Sequence, residues 1–224
     1  MKKFFIMIIL VVAVGVVFFY GLGITSVAAQ VNNNIDSLMD GIQKSFTENP
    51  KNLMSSSPYT YIKNNKYFDA IVDLGPDTLP FIEKAISDSP KNGLKEYILA
   101  IAGEKIAKVN LKGDSVRWGT AKQWVTVWNE HLKEIPSNVK KIAESNSPDK
   151  TKELIKLGTP AIPFLMDLIE QNNTDVIPAL TELLKDNKQK IDVSAGEITK
   201  EWVKENKGKF ANLREMVNKK QSNN

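Results

Sequence analysis

Cysteine is absent from all 224 residues and histidine occurs once. The first absence excludes disulfides, thiolate metal sites, a cysteine nucleophile and the lipid-bearing cysteine of a bacterial lipoprotein. The second leaves His131 as the sole imidazole. A glycine-rich phosphate loop, an EF-hand loop and a zinc-binding helix motif are missing too. Alternating strand patterns are nearly absent outside the N-terminal apolar run, so the expected fold class is all-α. Charge of one sign is also scarce. Removing Lys2 and Lys3 from the 30 basic side chains leaves 28 against 26 acidic ones, too small an excess to argue for nucleic acid by charge alone, and no nucleic acid partner is expected. The pairs Lys140-Lys141 and Lys219-Lys220 lie among acids or near the chain end and read as solvated faces.

What the chain has in plenty is apolar sequence at its start. Two lysines precede a run without charge from Phe4 through Ala29, most apolar from Phe4 to Leu22. About twenty such residues span a bilayer core. Residues 4–24 are therefore expected to meet the membrane. The alternative is a signal peptide cleaved near Ala29, because Val27-Ala28-Ala29 suits a signal peptidase. With Lys2 and Lys3 held in the cytoplasm, both readings place the body outside it. The abundance of lysine and asparagine resembles an exported bacterial protein. Beyond this segment, Val31, Ile35, Leu38, Met39, Ile42 and Phe46 recur at helical spacing up to "TENP", predicting an amphipathic helix.

Two stretches then repeat. "IVDLGPDTLPFIEKAI" (71–86) and "LIKLGTPAIPFLMDLI" (154–169) align without gaps at an offset of 83, matching Leu74-Gly75 to Leu157-Gly158 and Pro80-Phe81 to Pro163-Phe164. Each reads as helix, tight corner, helix, with the glycine left-handed and the proline in the next helix's first turn. Ser57-Pro58 and Ser147-Pro148 suggest that both copies start alike. A second match pairs 120–145 with 194–219 at an offset of 74, aligning Trp128 with Trp202, Asn138 with Asn212 and Ile142 with Met216. The expected organisation is a membrane anchor or signal peptide over 1–29, a connecting helix and linker over 30–56, repeat units over 57–146 and 147–220, and a disordered tail over 221–224. Each unit holds a helical hairpin, a further helix, a Trp-bearing helix and a last short helix.

Residues 154–187, "LIKLGTPAIPFLMDLIEQNNTDVIPALTELLKDN", resemble a bacterial HEAT repeat of the kind also found in phycobilisome-lyase-like proteins, where L-G-x-P-A-[IV]-P-x-L joins antiparallel helices. Leu157, Gly158, Pro160, Ala161, Ile162, Pro163 and Leu165 carry the resemblance, and residues 71–86 match it more loosely. It implies α-solenoid-like packing and protein-binding surfaces, and it transfers no catalytic residue.

Chemistry is thinly represented. His131 lies three residues after Trp128, beside the apolar stripe Trp124, Trp128, Leu132 and Ile135, and reads as a histidine at the border of the core. Acid pairs at helical spacing, Asp73 with Asp77 and Asp167 with Glu170, are the raw material of a carboxylate-pair hydrolase, yet such acids also line the outer faces of ordinary helices. Helical spacing assigns Trp124, Trp128 and Trp202 to the core. Trp118 follows the turn-rich "NLKGDSVR" and is the candidate partner-binding residue, an exposed aromatic on a connection. The sequence thus predicts an extracytoplasmic, membrane-anchored helical-repeat binding or scaffold module without catalytic residues or cofactor, directed at a protein or cell-envelope partner. The alternatives are a cell-envelope hydrolase and a structural spacer at the membrane.

Overall fold

The computed structural model of the protein describes residues 27–48, 57–112, 118–185 and 193–222. Among them every regular element is helical, as the absence of alternating patterns predicts. The helices are α1 (27–48), α2 (Pro58–Ile62), α3 (Lys66–Asp73), α4 (Leu79–Asp88), α5 (Leu94–Ala107) and α6 (Ala121–Ala143), followed by α7 (Lys150–Lys156), α8 (Ile162–Glu170), α9 (Ile177–Leu184), α10 (Lys200–Asn206) and α11 (Ala211–Gln221). The apolar run over 4–24 lies outside the described residues, and among those described no helix is long and apolar enough to cross a membrane.

The amphipathic spacing ahead of "TENP" becomes α1. It buries Val31, Ile35, Leu38 and Ile42. Phe46 meets the Tyr61 ring edge-on at 5.7 Å, and Lys95 of α5 pairs with Asp36 at 2.6 Å. The helix therefore covers the body, its apolar stripe forming part of the common core.

Both predicted corners form, and their backbones agree. Gly75 has φ 77° and ψ −171°, and Gly158 has φ 77° and ψ −176°. The sign of φ is as expected, but ψ near 180° puts both outside the left-handed helical well and in a region reserved almost entirely for glycine. Each glycine leads into one turn of 3₁₀ helix, Pro76–Thr78 or Thr159–Ala161, and then into an α-helix with proline in its first turn. Leu79 and Ile162, Ile82 and Leu165, and Ile86 and Ile169 occupy matching, buried positions. A third junction, Thr174–Val176 into Ile177-Pro178, repeats the 3₁₀ turn and the first-turn proline without the glycine and starts α9. The contacts repeat as well: α3 packs on α5 as α7 does on α9, and α4 packs on α6 as α8 does on α10.

Two expectations need correction. Ser57-Pro58 starts α2, a short helix with no counterpart in the second copy, where Asp149 directly precedes α7. The two Ser-Pro pairs stand 90 residues apart rather than 83, so they are not equivalent. The Trp-bearing helix and the last short helix are also not separate in the first copy. There α6 runs unbroken for 23 residues, with Pro136 inside it. The second copy is broken into a 3₁₀ turn at Ala195–Glu197, α10, a second 3₁₀ turn at Lys207–Phe210, and α11. Substitution explains the later break: Asn206 replaces Leu132 and Gly208 replaces Glu134. The Asn206 amide donates to the Trp202 carbonyl at 2.8 Å, and glycine costs about 1 kcal/mol in a helix interior. The start is shared, since Thr120 with Gln123 and Ser194 with Glu197 both form capping boxes.

The halves hold each other reciprocally. The first half's α6 lies on the Thr159–Ala161 corner and α8, while the second half's α11 lies on the Pro76–Thr78 corner and α4. The core centres on α6, where Trp124 and Trp128 stack at 5.5 Å. Gly103 makes room for them. A Cβ there would stand 2.7 Å from the Trp124 ring, so glycine lets α6 approach the α5 backbone.

Candidate functional site

The sequence singles out Trp118, and the structure places it where α5 hands over to α6. Helix α5 ends on Lys108, left-handed at φ 55°, with the Val109 N–H donating back to the Glu104 carbonyl at 3.1 Å. This turn sends the chain along the side of α5. The Glu104 carboxylate then fastens both ends of the connection: its Oε1 accepts from the Leu111 N–H at 3.0 Å and from Trp118 Nε1 at 2.8 Å.

Trp118 is 2% exposed, which corrects the expectation of an exposed aromatic. Its indole N–H has a carboxylate partner, and its face is covered. The Lys112 ammonium stands 3.9 Å from the Trp118 ring centre, 5.0 Å from Tyr97 and 5.6 Å from Tyr59, and it donates to the Tyr97 hydroxyl at 2.7 Å. The Tyr97 and Trp118 rings tilt together at 4.8 Å. Burial works to lower the Lys112 pKa, but its bonds to the Tyr97 and Tyr59 phenols outweigh that and hold it above the usual lysine value. The group is a cation in an aromatic cage. Sequence reasoning missed Lys112, Tyr97 and Glu104. One signal was present: Tyr97 and Glu104 are seven apart and share a face of α5.

His131 sits at the border of the core, as predicted. Its ring stacks 5.9 Å from Trp128, and Nε2 donates to the Leu157 carbonyl at 3.0 Å. Burial pushes its pKa below the usual histidine value, against the opposing pull of the Leu157 bond. The imidazole thus braces the corner that Gly158 turns. Among the described residues no nucleophile is bonded to it.

Of the two acid pairs, Asp167 with Glu170 is likewise engaged in architecture. Arg214 of α11 forks onto Asp167 with two bonds of 2.7 Å, and also donates to the Pro163 carbonyl at 2.6 Å. Glu170 accepts from Lys207 at 2.8 Å, and that bond holds its pKa below the usual carboxylate range. A general acid needs the opposite shift. Asp73 is exposed, while Asp77 is half-buried and lines a cavity of about 470 Å³ between α4 and α11 with Phe81, Glu83, Met216 and Lys220. Glu83 and Lys220 pair across that cavity, joining the two halves. Among the described residues no group of three histidine, aspartate or glutamate side chains is placed to hold a metal ion.

Comparison with family models, curated proteins and solved structures finds no match to this chain.

Proposed function

We propose that the chain is an extracytoplasmic binding module of HEAT-like helical repeats, tethered through residues 4–24 and directed at a protein or cell-envelope partner, without catalysis of its own. One observation carries the reading. Of the groups from which the sequence could build catalysis, His131, Asp167 and Glu170 are spent on bracing corners and joining helices, whereas the aromatic cluster around Trp118 includes Tyr59, 50% exposed. The HEAT-like resemblance and the duplicated glycine corners support the repeat character. The carboxylate-pair hydrolase draws no support from Asp167 and Glu170, each already bound to a cationic side chain.

Three measurements test the proposal. Cell fractionation with N-terminal sequencing is expected to find the chain in the membrane fraction and beginning at Met1 or Lys2; a soluble species beginning at Gln30 would replace the tether with a cleaved signal peptide. A photo-crosslinking residue at Tyr59 is expected to capture a discrete envelope partner in cells. Hydrolysis of peptidoglycan, ester or glycoside substrates by the purified chain, abolished by Asp77→Asn at unchanged stability, would overturn the noncatalytic assignment.

A further inference from the structure

We propose that Tyr59, Tyr97 and Trp118 form a receptor for a primary alkylammonium group, and that Lys112 occupies it as an internal ligand that an incoming amine displaces. The inference rests on the binding-module reading and supplies the chemistry of its ligand.

Three aromatic rings converge on one ammonium, at 3.9, 5.0 and 5.6 Å, and the Tyr97 oxygen accepts one of its protons at 2.7 Å. Ring faces attract any organic cation. The hydroxyl adds a demand that a quaternary ammonium cannot meet, because it has no N–H to donate. The site is therefore matched to an ammonium that carries an N–H, as the primary ammonium it now holds does.

Lys112 is exchangeable for two reasons. Its ammonium is held by aromatic faces and a phenol oxygen, contacts that a visiting ammonium can make in its place. The cage walls also stand without it. Glu104 holds Leu111 and Trp118 through bonds that do not involve the Lys112 side chain, Tyr97 is set by α5, and Tyr59 by α2. Of the three aromatic residues Tyr59 is the most exposed, so an incoming amine meets it first. Two sources offer the required chemistry, a lysine side chain of a partner protein and a small free amine.

The test uses the full chain, wild type and Lys112→Ala, followed through the Trp118 indole N–H resonance during titration with Nα-acetyl-lysine methylamide, ethanolamine and tetramethylammonium. With Lys112 removed, the primary amines are expected to move that resonance and to bind about tenfold or more tightly than to the wild type, with tetramethylammonium weaker. Preference for the lysine amide assigns the source to a protein, and preference for ethanolamine to a small amine. Tetramethylammonium binding as well as the primary amines overturns the assignment of a primary amine. If Lys112→Ala disturbs the cage, as a lost Trp118–Glu104 indole shift would reveal, the wild type titrated with concentrated n-propylammonium decides: displacement of Lys112 moves the Trp118 resonance, and a static resonance refutes the receptor. A hydrolytic chain that still binds amines loses the binding-module reading and keeps the receptor. Partner capture at Tyr59 with no amine response does the reverse.

Discussion

Single residues carry the joints. At Gly158 a Cβ would lie 2.3 Å from the Ala107 carbonyl oxygen and 2.4 Å from Val109, and its φ is positive. Glycine is thus required twice, for its conformation and for the close seating of the α5 terminus. Gly158→Ala is expected to cost about 2 kcal/mol or more in chemical denaturation. Gly196→Ala, with nothing within 4 Å of the new atom, is the control and should change stability by less than about 0.5 kcal/mol. His131 gives a pH signature at the same corner. Its folded pKa lies below the unfolded value of about 6.5, so as pH falls the unfolded chain takes the proton first. The stabilising effect of the neutral ring is present above about pH 6.5 and is lost as pH drops through the folded pKa. His131→Gln retains an N–H donor without titrating in this range. Its stability relative to wild type should therefore improve as pH is lowered below about 6.5; a constant difference would show that the ring is not held neutral.

At the scale of elements, lysine ammonium groups do work that backbone bonds leave undone. The Lys122 Nζ, on α6, donates to the carbonyls of Ile86, Ser87 and Ser89 at 2.6, 3.0 and 2.7 Å, closing the end of α4. Lys108 serves the end of α9 in the same way, through the carbonyls of Glu182 and Lys185. The last carbonyls of a helix have no partners within it and carry its negative end, so an ammonium there is favourable twice over. Lys122→Met is expected to cost about 1–3 kcal/mol. Lys84→Met, which removes only an exposed pair with Asp88, should cost about 0.5 kcal/mol or less. Equal losses would remove the capping argument. The break between α10 and α11 makes the converse case. Gly208 has no positive φ and open space around its Cβ, so Gly208→Ala should stabilise by about 0.5 kcal/mol.

These elements were unequally legible in sequence. Leu-Gly followed by proline punctuates the chain, and the apolar spacing of α1, α6 and α8 survives packing, so helices and corners could be read directly. Local breaks were harder: Asn206 and Gly208 signal one only when set against Leu132 and Glu134. Trp118 was misjudged because its environment is assembled from Tyr59, Tyr97, Glu104 and Lys112, contributed by two helices and an aperiodic connection. A connection has no period from which to infer which side of a residue faces the core. His131 was placed correctly at the core's edge, but its bond to Leu157, 26 residues away, belongs to tertiary structure alone.

The whole molecule departs from a simple stack in the way its halves meet. A stack places each unit on the next through unlike surfaces, whereas here α6 covers the second corner and α11 returns to cover the first. Reciprocal contact between related halves is the pattern of an approximate twofold, which closes on itself instead of continuing. The consequence is mechanical. Removal of an end unit from an open array leaves its neighbours folded, since stability there is a sum over adjacent units. In this chain α11 packs on α4, α6 and α8 together, buries Leu213, Met216 and Val217, and sends Lys220 to Glu83 of α4. Truncation after Asn206 should therefore destabilise the first half as well as the second. Tryptophan fluorescence separates the two cases, because Trp118, Trp124 and Trp128 all lie in the first half and only Trp202 in the second. The truncated chain is expected to lose its fluorescence transition to a markedly lower denaturant midpoint, together with the helical signal in circular dichroism. A fluorescence midpoint that stays at the full-length value, with only part of the helical signal lost, would mean that the first half stands alone and the repeats form an open stack.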